Sequence, residues 1–504
     1  MRKVIVLACA ILGLALVVGA IRPQSAEAET ADVKRYNVLL KGSVANGGFT
    51  GAKGSNLAEL IGAAGGEVTI DLSSQIGALV VESANANFAD VLAQSSLVAD
   101  VAEDFAWKAY PTRLDAIVGA EGILSHPGDG VPGGGPEAHA DPLEPAQWDM
   151  RQIRTAEAHA IQAGSRLVEV GILDTGIDGD HIDFTDNGVV GGPSNVNCAK
   201  GRDFIPVGPG VGTPNPCEDN NFHGTHVAGI VGAQANGVGV VGVAPNVELI
   251  PVKVCDALGY CYASSTAAGI TYAGDAKLEV MNMSFFVDDD MFLESTEFKC
   301  MNDPVQRTFR QMNERAIQYA RQQGVVPVAA LGNSDNDLAH PPEPYTNACE
   351  VVPAETQGVI GTMSTGPGSE KASYSNYGVG ATDVGAPGGN SGSPYPAPGP
   401  CPTTVPNTFP NNTWACIQGT SMASPHAAGV AALIVSQYGR LDKDGDVVLS
   451  PTKVEAHLQG TAVDIGERGY DECFGHGRVD ALRAVQHDTK NVYETVPFCP
   501  EYEE

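Results

Sequence analysis

Between residues 146 and 487, apolar runs of strand length are separated by stretches of helical character, and this alternation constrains the fold more than any other feature of the chain. The runs 167–173, 247–254, 278–283, 325–331 and 359–363 read as strands, and 223–233, 264–276, 304–323 and 421–438 read as helices. Nearly continuous apolar strands are suited to burial on both faces, and helices lying between them act as crossover connections. The pattern predicts an α/β domain built as three layers, α/β/α, around a mostly parallel sheet.

The 504 residues leave room for more than this domain. Arg2 and Lys3 precede an apolar or small-residue stretch over 4–21, and Ala26-Glu27-Ala28 follows as a small-x-small cleavage site. Residues 1–28 therefore read as a signal peptide for a secreted, extracellular protein without a stable membrane anchor. The competing reading is an anchor, since about 18 apolar residues just span a bilayer. Residues 35–120 alternate short strands (36–40, 67–72, 76–82) with helices (56–63, 88–99), the pattern of a small α+β, ferredoxin-like domain. Residues 121–145 form a Gly/Pro-rich linker open to proteolysis, and 488–504 form an acidic tail. Ten of the 11 cysteines follow the signal. In an exported chain these read as disulfides, with Cys198–Cys217, Cys255–Cys261 and Cys401–Cys416 as local candidates. A formal charge of −31 excludes nucleic-acid binding, which needs clustered Lys and Arg.

Three short segments carry the chemistry. Val170-Gly-Ile-Leu-Asp174-Thr-Gly-Ile-Asp178 is an apolar strand ending on a carboxylate, and functional groups gather beyond the carboxyl ends of parallel strands. By itself Asp174 reads as a turn residue capping the strand end. Asn221-Phe-His223-Gly-Thr-His226-Val-Ala-Gly229 places His223 on the first turn of a closely packing helix and His226 one turn deeper, in a structural position. Its HxxH spacing lacks the glutamate of a zinc-binding HExxH. Gln418-Gly-Thr-Ser421-Met-Ala-Ser-Pro-His-Ala-Ala-Gly429 puts Ser421 at a helix N-terminus, where unpaired N–H groups favour a developing oxyanion; a plain N-cap is the alternative.

Together DTGID, HGTHVAG and GTSMASPHAAG, in the order Asp, His, Ser, resemble the subtilisin-like serine proteases (subtilases, peptidase S8 type) over about 146–487. The resemblance implies Ser421 as nucleophile, His223 as general base and Asp174 as the carboxylate that orients it. Asn333, in Ala329-Ala-Leu-Gly-Asn333, matches the asparagine of the oxyanion hole. Ser284, Phe285 and Phe286, with Leu258 and Gly259, match the strands that clamp an extended peptide, and Ala330 and Gly332 the facing wall. Phe286 stands where relatives carry glycine, and an acidic insertion (Asp288–Asp290, Glu294, Glu297) follows. Asp183, Gln234, Asn236, Val238 and Val240 match the cage of a structural Ca2+. Asp442-Lys-Asp444-Gly-Asp446 departs from a full EF-hand register and reads as an acidic turn.

The 35–120 unit resembles the family's propeptide, an intramolecular inhibitor and folding aid removed by self-cleavage within 121–146. The expectation is a monomeric secreted serine endopeptidase acting on proteins or peptides. A silent peptide-binding module would not require Asp174, His223, Asn333 and Ser421 together, and an esterase or lipase would be expected to carry a GxSxG elbow, which is missing around Ser421.

Overall fold

The computed structural model describes residues 33–43, 48–49, 55–109, 139, 141–206, 215–286, 298–341, 346 and 348–496. The expected signal, most of the linker and the acidic insertion lie outside the described residues.

The larger unit is built on a seven-stranded sheet. Its order runs Val384–Pro387, Ile360–Thr365, Val326–Ala330, Val280–Met283, Glu169–Asp174, Glu248–Lys253 and Arg202–Asp203, and every neighbouring pair is parallel. Five of these strands fall on the apolar runs read from sequence. Val384–Pro387 and Arg202–Asp203 were not legible, being too short to make an apolar run.

Alternation along the central strand explains the layers. Val170 and Ile172 face one core with Val227, Ile230, Val430 and Ile434 of the His223–Gly232 and Thr420–Tyr438 helices. Leu173 faces the other, with Ala267 and Ile270 of Ala263–Asp275 and Phe309, Met312 and Ala316 of Pro304–Gln323. Each fully buried Val, Leu or Ile contributes about 1.5–3 kcal/mol, so both faces hold the sheet strongly. Disulfides join Cys198–Cys217, Cys255–Cys261, Cys300–Cys349 and Cys401–Cys416; the first two and the last are the local pairs expected.

The smaller unit is an antiparallel sheet, Gly66–Leu72, Ala78–Ser83, Lys34–Leu40, Val98–Glu103, with helices Ser55–Ala63 and Phe88–Ala93. A helix over 88–99 is corrected here. It stops at Ala93, because Ser95 makes a turn in which its hydroxyl accepts the Leu97 N–H and its carbonyl the Val98 N–H. The chain then re-enters as a strand.

This unit rests on the Ala263–Asp275 and Pro304–Gln323 helices. Arg307 pairs with Asp100, and the Arg315 guanidinium donates to the carbonyls of Leu40, Ile76 and Gly77. Asp104 caps the first of these helices, accepting from Ser264 N at 3.0 Å and Ser264 Oγ at 2.6 Å. Beyond it, Ala106–Lys108 pairs antiparallel with Tyr260–Tyr262 of the larger unit.

Candidate functional site

Strand Glu169–Asp174 delivers a fully buried carboxylate to the carboxyl edge of the sheet. Asp174 Oδ1 accepts the Thr175 N–H at 2.8 Å and lies 2.9 Å from His223 Nδ1; Oδ2 lies 3.1 Å from the same nitrogen. An imidazole nitrogen between two carboxylate oxygens carries the hydrogen, which leaves Nε2 as the basic position.

Asp219, unrecognised in the sequence, fixes the helix that carries His223. Its carboxylate accepts from Thr175 Oγ1, from the N–H groups of Asn221, Phe222 and Thr225, and from Thr225 Oγ1. An acid shortly before a helix was the available signal. Phe222 holds φ at 123°, rare for a bulky residue, and stacks on Phe409 at 5.2 Å. Gly224 has no substitute here, since a Cβ would stand 2.1 Å from Gly176 O.

Ser421 occupies the first turn of Thr420–Tyr438, whose N-cap is Gly419 rather than Ser421 itself. Its hydroxyl donates to Ser284 O at 2.9 Å while Ser284 Oγ donates to Ser421 O at 2.8 Å. Asn282 extends the lattice, donating to Ser284 Oγ and accepting from Ser424 Oγ. The strand end and the serine helix are thereby locked together.

Asn333 follows strand Val326–Ala330. Its Oδ1 accepts both the N–H and the hydroxyl of Thr420, each at 2.9 Å, so Nδ2 is the outward end of the amide. Asn333 Nδ2 and Ser421 N each lie 3.7 Å from the point where a Cβ on Gly419 would stand. Both nitrogens therefore lie near one point beside Gly419, with Asn333 Oδ1 3.9 Å from it. Thr420, which sets the amide's orientation, was not singled out in the sequence.

The residues expected to bind substrate fall in different settings. Leu258 is exposed, and Gly259 O accepts the Ala109 N–H at 2.9 Å. Ala330 and Phe285 are buried in the core. Phe286 is 2% exposed, with Cδ2 3.4 Å from where a Cβ on Gly332 would lie. Gly332 holds φ at 108° and donates to Thr420 Oγ1 at 3.2 Å. His226 is buried against Ala415 O, and burial pushes it down to about 3, a neutral structural histidine. Asp442 accepts the N–H groups of Asp444 and Asp446, as an acidic turn does.

The residues matching a calcium cage converge on one loop. Asp183 Oδ2 accepts from Trp414 Nε1 and Val240 N, while Oδ1 is buried without a hydrogen-bond partner. Burial raises its pKa well above the ordinary carboxylate value. Gln234 donates to Phe184 O, and Asn236 Nδ2 to the carbonyls of Ile182 and Thr185. Val238 N donates to Asn236 Oδ1. Gly239, at φ 56°, leaves the space that Asp183 enters; a Cβ there would meet Oδ2 at 2.1 Å. Asp141, outside the expected set, accepts from Asn236 N and Gly237 N and is pushed by burial up to about 6. An orphaned buried carboxylate oxygen, with a second raised acid beside the same loop, suits a hard divalent cation.

Comparison with known proteins finds relatives of the larger unit. Residues 165–477 match the profile of the peptidase S8 family, the subtilases. Subtilisin Savinase of Lederbergia lenta is 32% identical over 339 residues, 67% of this chain and 98% of that protein. Thermitase of Thermoactinomyces vulgaris is 33% identical over 342 residues, 68% of this chain and 96% of its own. Among solved structures, the epidermin leader peptide processing serine protease of Staphylococcus aureus superposes with a TM-score of 0.66 at 20% identity, covering 90% of this chain and 98% of that one. A lanthipeptide protease gives 0.55 at 25% identity, over 67% of this chain and 93% of that one.

Proposed function

We propose, from the premise that this chain belongs to the subtilase family and is a serine endopeptidase, that Asp174, His223, Ser421 and Asn333 perform its chemistry. Ser421 Oγ, which donates to Ser284 O in this structure, attacks the peptide carbonyl as the His223 imidazole takes its proton at Nε2. The forming imidazolium is stabilised by buried Asp174. The oxyanion is held by Ser421 N and Asn333 Nδ2. His223 then protonates the leaving amine, and water hydrolyses the acyl-enzyme by the same proton transfers in reverse. The observation that carries this reading is the 2.9 Å contact between His223 Nδ1 and Asp174.

The 35–120 unit acts as a propeptide, and the enzyme removes it by cutting its own chain within 121–146. Support comes from its seat on two helices and from the strand it lays along Tyr260–Tyr262. Expression of Ser421→Ala accumulates the uncut precursor; a purified Ser421→Ala chain that still matures contradicts self-processing. Secretion fits the four disulfides found among the described residues, since disulfides persist in oxidising compartments.

A calcium ion would be held by Asp183, Asn236 and the carbonyls of Gln234, Val238 and Val240, with Asp141 alongside, and would supply positive charge to offset the buried acids of this loop.

A further inference from the structure

The first turn of the Thr420–Tyr438 helix is held by side chains where its own backbone falls short. Pro425 lies inside the helix and has no N–H, so the carbonyl four residues earlier, that of Ser421, loses its helical partner. Ser284 Oγ donates to it instead, at 2.8 Å. Asn333 Oδ1 anchors Thr420 from another side. A third anchor stands one residue beyond Ser421. His426 folds back along the helix until Nδ1 meets Met422 O at 2.7 Å. Thr420, Ser421 and Met422 are thus each gripped by a different side chain.

His426 does not hold this position alone. A carbonyl oxygen only accepts, so Nδ1 carries a hydrogen, and Nε2 is turned to Asp149 Oδ2 at 3.1 Å. A bare ring nitrogen would repel a carboxylate, so a second proton lies between the two. Both side chains are fully buried, and Asp149 Oδ1 has no hydrogen-bond partner, which leaves the compensation of this acid to the ring. Such a pair carries a desolvation cost that an apolar pair of similar volume avoids, so stability by itself does not account for it. The mount of Asp149 is rigid. Gln147 exchanges two hydrogen bonds of 2.9 Å with Val241, and Trp148 Nε1 donates to Thr404 O at 2.7 Å. This mount follows directly on the 121–146 linker.

We propose, resting on the peptidase reading above, that Asp149 and His426 are positioning residues for Ser421. Asp149 aims the imidazole, and the imidazole fixes the Met422 carbonyl. The peptide that follows Ser421 is thereby kept in place, so that Ser421 N stays directed at the developing oxyanion. The chain just behind the maturation linker thus holds the helix that carries the nucleophile. Neither residue touches substrate. An anchor of this kind acts on the transition state and leaves ground-state binding alone, so it is read in kcat and not in KM.

The test uses the full chain after it has processed itself. Reactive Ser421 is counted with a sulfonyl fluoride, and kcat and KM for a chromogenic peptide are expressed per reactive site. His426→Gln keeps the contact with Asp149 through its amide and loses the bond to Met422 O. Its kcat is expected to fall about 10- to 100-fold at unchanged KM, the loss that a small misplacement of reacting groups produces. Asp149→Asn offers an amide N–H to Nε2, keeps the ring in place, and retains kcat within about threefold of the parent. Should His426→Gln fail to fold, the double variant Asp149→Leu with His426→Met leaves no orphaned charge in the core and carries the same expected loss. A folded His426→Gln or double variant within about threefold of the parent kcat overturns the proposal. So does a loss confined to KM or to the unfolding midpoint, and so does an equal loss in Asp149→Asn, because the aim of the ring would then count for nothing. An unaltered enzyme that cleaves no peptide and takes no sulfonyl fluoride on Ser421 overturns the peptidase reading instead.

Discussion

Replacing Asn333 by alanine separates transition-state stabilisation from folding. The amide does two jobs at opposite ends. Oδ1 accepts two hydrogen bonds from Thr420 at 2.9 Å, and Nδ2 faces the space beside Ser421 N. Loss of Nδ2 removes an oxyanion donor, which lowers kcat by about 10²–10³, or about 2.7–4 kcal/mol, with little change in KM. Loss of Oδ1 removes two hydrogen bonds worth about 0.5–1.5 kcal/mol each, toward the low end because Asn333 is half-buried and water replaces part of them. Thr420→Val is the control, since it disturbs the anchor while Nδ2 remains, and its fall in kcat is about tenfold at most, or about 1.4 kcal/mol. Turnover of a chromogenic peptide and the thermal midpoint are measured on all three proteins. A folded Asn333→Ala enzyme within about fivefold of the parent kcat, a difference under about 1 kcal/mol, refutes the oxyanion assignment.

Other outcomes follow from the same geometry. Asp174→Asn leaves an acceptor or a donor in the wrong place against His223 Nδ1 and lowers kcat by about 10⁴ at neutral pH, read from single-turnover kinetics; a loss under tenfold contradicts the role of Asp174. Saturating Ca2+ raises the unfolding midpoint by about 3–8 °C over chelated protein, and Asp183→Asn or Gly239→Ala abolishes the increment. An equal increment in these variants places calcium elsewhere. Asp141 titrates near 6 in the folded chain, raised by burial from its ordinary value near 4, so in chelator its contribution to stability is present below about pH 4 and lost as pH rises to about 6. Urea unfolding across that window is flatter for Asp141→Asn; an unchanged slope contradicts the assignment.

How much was legible depended on whether the determining signal was local. The Pro304–Gln323 helix was read to its ends because Asp303 caps it through Gln306 N, Pro304 occupies its first turn and Gly324 closes it at φ 108°. The central strands were legible because burial on both faces leaves uninterrupted apolar runs. The helix at 88–93 reads too long in the sequence because Leu97 and Val98 follow Val91 and Leu92 as further apolar residues, and only the Ser95 turn breaks it. His426 lies between Met422 O at 2.7 Å and Asp149 at 3.1 Å, a buried pairing across 277 residues that no window of sequence contains. Thr420 and Asp141 escaped notice similarly, since their partners at 333 and 236–237 come from remote loops. Asp174, His223, Asn333 and Ser421 were readable because each sits in a short segment whose small neighbours are dictated by close packing, as Gly224 shows.

Treatment with a fluorophosphonate followed by peptide mapping by mass spectrometry asks whether one hydroxyl of this chain is activated. The account predicts a single adduct on Ser421, formed rapidly at neutral pH and lost in His223→Ala. No adduct on Ser421, or an adduct formed equally fast without the imidazole, would contradict it.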